Sequence, residues 1–188
     1  MLFEQAGQFI LDKLDTELPD TLYYHNLAHT EDVYTAAGRL GRIENISDIE
    51  MKLLLTAACY HDAGYLHTII EHERESCRIA KEHLPRFGFN ELEIDQICGM
   101  IMATRLPQTP HSKLQELLAD ADLDYLGRED FFEIGDKIFH ELGMSNWNEW
   151  NKIQLKFLEQ HRYFTQTALN LRGPKKQENI GKVKALLQ

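Results

Sequence analysis

The sequence is short of cysteine, of long apolar runs and of positive charge, and each shortage excludes a class of protein. Its three cysteines, Cys59, Cys77 and Cys98, form no C-x-x-C pair, which is typical of small buried thiols in a reducing cytosol. No stretch approaches the roughly 20 apolar residues that span a bilayer. The formal net charge of -10 argues against a general nucleic-acid binder, which usually presents a basic face. The first residues carry an acid where a secretory signal carries basic residues, so we expect a cytoplasmic protein.

Several well-known site motifs are also missing. The chain has no G-x-x-x-x-G-K-[ST] phosphate loop, no G-x-G-x-x-G dinucleotide turn and no G-x-S-x-G serine elbow. His25 and His29 have the spacing of a zinc-protease pair but lack the glutamate of H-E-x-x-H. These absences argue against a P-loop enzyme, a serine hydrolase and a zinc protease.

Helical periodicity dominates the chain, and no alternating run bounded by turn residues indicates a strand. Ser47-Asp48-Ile49-Glu50 and Asn90-Glu91-Leu92-Glu93 have the form of N-terminal helix caps. The sequence therefore predicts one all-α domain over residues 1–188, with a core at about 23–142 and C-terminal helices at 146–188 packed on it.

Three helix ends are predicted from local signals. Gly41 is expected to mark the end of the second helix, and a sixth helix is expected over Leu114 to Leu126. Gly173-Pro174 is expected to break the chain before a short basic tail, most simply a surface helix.

The most informative stretch is Tyr60-His61-Asp62, at the end of an almost wholly apolar helical segment. A charge on Asp62 is costly in such surroundings unless something neutralises it. A buried hydrogen bond between His61 and Asp62 would do so, and a bound cation would do so as well. His29 and His25 upstream would share one helix face if the helix began early; otherwise His25 lies in the preceding loop.

A third group of polar residues, Asp120, Asp122 and Asp124, lies within one predicted helix. Carboxylates so close repel one another, and a metal is the usual way to hold such a set ionised. A solvated acidic helix face is the alternative, although the apolar residues between them indicate that at least one carboxylate faces inward. Imidazole and carboxylate together suit a divalent ion such as Mn, Mg, Fe, Ni, Co or Zn, which can acidify a water and polarise a phosphoryl oxygen.

The ordered set His29, His61-Asp62 and Asp122 resembles the HD-domain superfamily of metal-dependent phosphohydrolases. The resemblance is carried by Tyr24-His25-Asn26-x-x-His29, Tyr60-His61-Asp62-Ala63-Gly64-Tyr65, His72-Glu73-x-x-Ser76 and Ala121-Asp122-Leu123-Asp124-Tyr125-Leu126-Gly127. It implies an all-α bundle in which His29, His61, Asp62 and Asp122 hold the metal. Asp122 is preferred to Asp120 because its Ala-Asp-Leu setting matches the family better.

The resemblance also suggests catalytic roles. The Tyr-His-Asn-x-x-His element is similar to that of cyclic-nucleotide phosphodiesterases, whose first histidine is a general acid, so His25 would be the proton donor. Asp62 would orient or deprotonate the attacking water. Residues Met102-Ala103-Thr104 offer no histidine where members with two metals carry one, so a second ion held fully by the protein is not expected.

The predicted activity is hydrolysis of a phosphate ester or anhydride in a nucleotide or another small phosphorylated metabolite. Two alternatives stay open: a di-iron oxygenase of the HD type, and a module that senses a nucleotide with little turnover. The oligomeric state is open as well. Five residues are candidates for supporting the ligands or contacting substrate: His72, Glu73, Asp120, Arg74 and Arg105.

Overall fold

The computed structural model describes all residues from 1 to 188 and contains helices but no strand. Three short 3₁₀ turns, Ala63–Leu66, Leu84–Phe87 and Asp124–Gly127, lie between the longer helices. None of the helices combines the length and apolar character that crossing a bilayer requires. The nine α-helices are α1 (Phe3–Glu17), α2 (Leu27–Ile43), α3 (Asp48–Tyr60), α4 (His72–His83), α5 (Glu91–Thr104), α6 (Lys113–Asp122), α7 (Phe131–Glu141), α8 (Trp147–Gln160) and α9 (Gln166–Ala185).

The all-α prediction is confirmed, and two of the predicted caps explain where helices begin. Ser47 and Glu50 form a reciprocal capping box at the start of α3, and Asn90 and Glu93 form another at the start of α5. Each box satisfies backbone N–H groups that have no partner inside the helix. Residues of the candidate site lie at the C-terminal ends of α3 and α5. The two caps fix where these helices begin and so help to position those residues.

Helix α3 is the centre of the fold. It contacts α1, α2, α4, α5 and α6, and every residue from 53 to 60 is buried. A second apolar cluster joins α7, α8 and α9 to the turn after α6. Ala121 belongs to the first cluster and Leu123 to the second, so Asp122 lies where the two meet.

Two of the predicted helix ends were wrong. Gly41 lies inside α2, where an added Cβ would stand 2.8 Å from the Met51 side chain. Its lack of a side chain therefore serves close packing rather than a helix end. The sixth helix is also shorter than predicted, since α6 ends at Asp122 and a 3₁₀ turn follows.

The predicted break at Gly173-Pro174 was wrong as well, because α9 continues through both residues. Proline removes one helical hydrogen bond, but packing on either side holds the helix in place. Before the proline, Arg172 pairs with Asp124 at 2.8 Å. After it, the Asn179 amide donates to the carbonyl oxygens of Leu126 and Arg128 at 3.0 and 3.1 Å. The expected short tail is thus the second half of a 20-residue helix.

Candidate metal centre

Three helix ends deliver the predicted ligands. Asn26 caps α2, its Oδ1 accepting from the backbone N–H groups of Ala28 and His29 at 3.0 and 3.3 Å. The helix therefore starts at Leu27, which leaves His25 in the loop and puts His29 in the first turn. His61 and Asp62 directly follow α3, and Asp122 is the last residue of α6.

The four side chains meet at one point. The Nε2 atoms of His29 and His61 lie 3.3 Å apart. Asp62 Oδ2 is 3.4 Å from His29 Nε2 and 3.2 Å from His61 Nε2. Asp122 Oδ1 is 3.4 and 3.7 Å from the same two nitrogens. The ligand atoms of His29, His61 and Asp122 all lie within 4.8 Å of one another, a spacing that could hold one metal ion.

The Ala58 carbonyl group determines which ring nitrogen of His61 carries the proton. Its Nδ1 lies 2.8 Å from the Ala58 carbonyl oxygen, which only accepts, so Nδ1 carries the proton and donates it. The neutral ring then presents the lone pair of Nε2 to the cluster. A backbone carbonyl behind a metal-binding histidine commonly fixes the tautomer in this way.

The side chains of this cluster are chemically suited to bind a cation. Asp62 is buried, and its Oδ2 has no hydrogen-bond partner. An unpaired buried carboxylate oxygen is costly unless a cation or a proton satisfies it. Two imidazole nitrogens and two carboxylates form a donor set that binds several divalent metals.

The pKa shifts show how strongly the members of the cluster act on one another. Burial opposes a charge on His29, but the adjacent Asp122 and Asp62 carboxylates outweigh it and raise its pKa to about 10. Burial likewise opposes a charge on Asp62, but His61 and His29 hold its pKa well below the usual value. Without a cation, the proton on His29 balances the buried Asp62 carboxylate.

His72 borders the cluster because α4 docks tightly on the turn after Asp62. An added Cβ on Gly64 would stand 2.0 Å from the His72 carbonyl oxygen, so only glycine permits this approach. The Gly64 N–H also donates to Ser76 Oγ at 2.8 Å. His72 Nε2 consequently lies 3.5 Å from Asp62 Oδ1 and 3.6 Å from Glu73 Oε1.

Tyr65 lies between two histidines. Its ring stacks on His25 with centroids 4.5 Å apart and on His72 with centroids 4.3 Å apart. Tyr65 is itself buried, so the stack fixes the positions of both imidazoles beside the cluster. His25 and His72 therefore both lie beside the cluster.

Glu141 is a site residue that the sequence analysis did not identify. Its Oε1 hydrogen-bonds to His25 Nδ1, while its Oε2 accepts from the backbone N–H groups of Tyr24 and His25 at 2.7 and 3.0 Å. Burial works to raise the pKa of Glu141, but these hydrogen bonds outweigh it and hold the pKa below its usual value. No local motif marks this glutamate, which ends α7, more than a hundred residues after His25.

The structure does not bring two of the five supporting candidates to the cluster. Asp120 is fully buried and turned toward the start of α9, where it accepts from the Phe164 N–H at 2.7 Å and from the N–H and hydroxyl of Thr165 at 2.8 and 2.7 Å. Arg74 is exposed and pairs with Glu71 at 3.0 Å. Asp124, in the same acidic segment, binds Arg39 and Arg172.

Arg105 and Glu73, by contrast, line a cavity of about 470 Å³ that opens from the cluster. Asp62 and Asp122 form part of its polar wall, together with His25 and His72. Much of the remaining wall is apolar, and sequence periodicity did not connect these side chains with a site. The apolar wall includes Tyr125, Phe131, Ile138, Trp150, Phe157 and Leu158.

The sequence profile of the HD domain matches residues 26–127, more than half of the chain, and this range contains all four predicted ligands. The chain belongs to the HD-domain family. The resemblance inferred from the motifs is thus confirmed. No curated protein sequence matches the chain at a significant level.

Three solved structures resemble this HD-domain protein over nearly its whole length. A predicted HD superfamily hydrolase from an uncultured Thermotogales bacterium is 20% identical, with a TM-score of 0.67, over 98% of this chain and 90% of that one. Bacillus subtilis YpgQ, solved in complex with ADP, is 18% identical, with a TM-score of 0.70, over 99% and 95%. A Lactobacillus plantarum protein is 17% identical, with a TM-score of 0.71, over 98% of both chains. At these identities the likeness establishes the fold.

Proposed function

We propose that this HD-domain protein is a metal-dependent phosphohydrolase that cleaves a phosphate ester or anhydride of a nucleotide or another small phosphorylated metabolite. The observation that carries the proposal is the meeting of His29, His61, Asp62 and Asp122 around an unpaired buried carboxylate oxygen, at the mouth of a cavity. A divalent cation held by these residues would supply an acidified water and polarise a phosphoryl oxygen.

The remaining groups suit acid–base work on either side of that cation. Asp62 orients the attacking water and accepts its proton, and His72 at 3.5 Å steadies the other carboxylate oxygen. His25 gives a proton to the leaving oxygen from Nε2, because Glu141 occupies its Nδ1. A positioned general acid typically contributes about 10²–10⁴-fold to the rate. Glu73 and Arg105 contact substrate from the cavity wall.

A nucleotide is one substrate class with independent support. YpgQ, of the same fold, was solved with ADP, so an HD fold of this size can bind a nucleoside diphosphate. The cavity volume of about 470 Å³ is within the range usual for small-molecule sites.

The proposed location is the cytoplasm, which agrees with three cysteines that form no disulfide.

Metal analysis of protein purified without chelators, followed by a phosphate-release screen, tests the proposal. The screen uses nucleotides and sugar phosphates with added Mn, Mg, Co or Ni. We expect about one metal ion per chain and release of phosphate from at least one substrate. Iron with dioxygen consumption and no phosphate release would instead indicate an oxygenase. Tight nucleotide binding without product would indicate a sensor.

A further inference from the structure

The cavity beside the metal centre extends away from the four ligands into an apolar chamber between α7 and α8. We propose that this chamber binds the organic group of the substrate, and that this group is flat and largely apolar. The substrate would then be a phosphate monoester of such a group. This inference rests on the proposed function, because the metal centre is what makes the other end a phosphoryl site.

The charges around the cavity favour one phosphoryl group over a polyphosphate. Asp62, Asp122, Glu71 and Glu73 all line it, and Arg105 is its only arginine or lysine. Arg105 is also paired with Glu71 at 3.3 Å and partly exposed. Triphosphates are usually held by several basic groups or backbone N–H groups. Here the cation of the metal centre would have to offset almost all of the substrate's charge.

The deep wall of the chamber favours an aromatic or similarly flat group. Phe131 and Trp150 are buried and line it, while Tyr125 stacks on Phe131 with an interplanar angle of 11°. A polyhydroxylated sugar would lose its water here and find few partners. An aromatic ring would instead bury its faces against aromatic side chains.

Trp150 is the one tryptophan that lines the chamber, and it is 5% exposed. Gln154, one helical turn further along α8, also lines the chamber and is buried. The second tryptophan, Trp147, is about half exposed, stacks on Phe139 and does not line the chamber.

Binding of non-hydrolysable phosphonates to the metal-loaded protein tests this inference. 4-Nitrophenylphosphonate has one phosphoryl group and a flat ring; methylphosphonate has the phosphoryl group but lacks the ring. Calorimetry should show an affinity at least about 10-fold higher for the first than for the second. Trp150→Phe keeps an aromatic side chain in the wall and should keep this preference.

Fluorescence locates the ligand without reference to turnover. In Trp147→Phe, Trp150 is the only tryptophan, and 4-nitrophenylphosphonate should quench its emission; in Trp150→Phe, the emission of Trp147 should stay unchanged. Ile153→Trp, at the half-exposed rim of the chamber, should weaken arylphosphonate binding without disturbing the core. Its methylphosphonate affinity should not change.

The outcomes separate the two proposals. Equal affinities for nitrophenyl- and methylphosphonate, with phosphate release intact in the substrate screen, would overturn the chamber assignment and leave the hydrolase. Quenching of Trp150, with no phosphate released from any substrate of the screen or from 4-nitrophenyl phosphate, would contradict the hydrolase and retain the binding chamber.

Discussion

Glu141 holds His25 through both of its carboxylate oxygens, one on the imidazole Nδ1 and one on the backbone N–H at 3.0 Å. The loop before α2 is thus fixed to the end of α7. The contact orients the ring and leaves Nε2 for the proposed proton transfer. Ring orientation of this kind depends on a negatively charged acceptor, as it does when a carboxylate supports a catalytic histidine.

Glu141→Gln should therefore lower kcat by about 10–100-fold with little change in metal content. The amide oxygen can still accept from a backbone N–H, so the loop should keep its place. His25→Ala removes the proposed proton donor itself and should lower kcat further, by about 10²–10⁴-fold. Steady-state kinetics and metal analysis on both variants check this order. A greater loss of kcat in Glu141→Gln than in His25→Ala would contradict the supporting role of Glu141.

Helix positions were largely readable from the sequence, because capping boxes and apolar periodicity are local signals. The same signals placed His61 and Asp62 at a helix end. Glu141 was missed because nothing near it marks its contact with His25, which depends on how α7 packs. The break at Gly173-Pro174 was wrong for the same reason, since distant contacts of Arg172 and Asn179 hold α9 together.

His61→Ala should abolish metal binding and turnover together. Its Nε2 faces His29 Nε2 at 3.3 Å, so its loss removes one of the two proposed nitrogen ligands. His72→Ala should reduce activity less, because His72 touches the cluster only through Asp62. Metal content and phosphate release are measured on both proteins. Equal losses would make His72 a ligand, and full activity with full metal content in His61→Ala would falsify the metal assignment.

Asp120 and Asp122 form a matched pair, two residues apart on α6 with opposite surroundings. Asp122→Asn should lose metal while the metal-free protein keeps its thermal stability. Asp120→Asn should bind metal normally but lose about 1–3 kcal/mol of unfolding free energy, because its carboxylate satisfies the buried N–H of Thr165 and the N–H of Phe164. Denaturant unfolding and metal titration separate these effects. Loss of metal affinity in Asp120→Asn alone would reverse the two assignments.

A cation that binds only the folded protein should stabilise it. At a concentration about 100 times Kd the gain is about 2.7 kcal/mol, which corresponds to about 5–10 °C in Tm for a chain of this size. Thermal unfolding with EDTA and then with excess Mn measures it. In His61→Ala the metal-dependent rise should vanish. A rise of the same size in that variant would place the ion elsewhere.

The acid stability of the fold should depend on a histidine far from the metal centre in sequence. Burial, reinforced by the charge on Lys176, lowers the pKa of His161 to about 3, and both ring nitrogens lack partners. In the unfolded chain the ring titrates near the ordinary value of about 6.5. Between these values the unfolded state binds a proton that the folded state does not, so stability rises with pH and is lost as pH falls.

His161→Phe should remove this contribution, which amounts to as much as about 1.4 kcal/mol per pH unit within that window. Phenylalanine keeps the aromatic contact that His161 makes with Tyr163 and carries no titrating group. Denaturant unfolding at pH 7 and pH 4.5 should show a smaller acid loss than in the wild type, whereas exposed His111→Phe should leave the loss unchanged. Equal acid losses in His161→Phe and the wild type would mean that the folded protein accommodates the proton, which requires water to reach a ring that α8 and α9 now enclose.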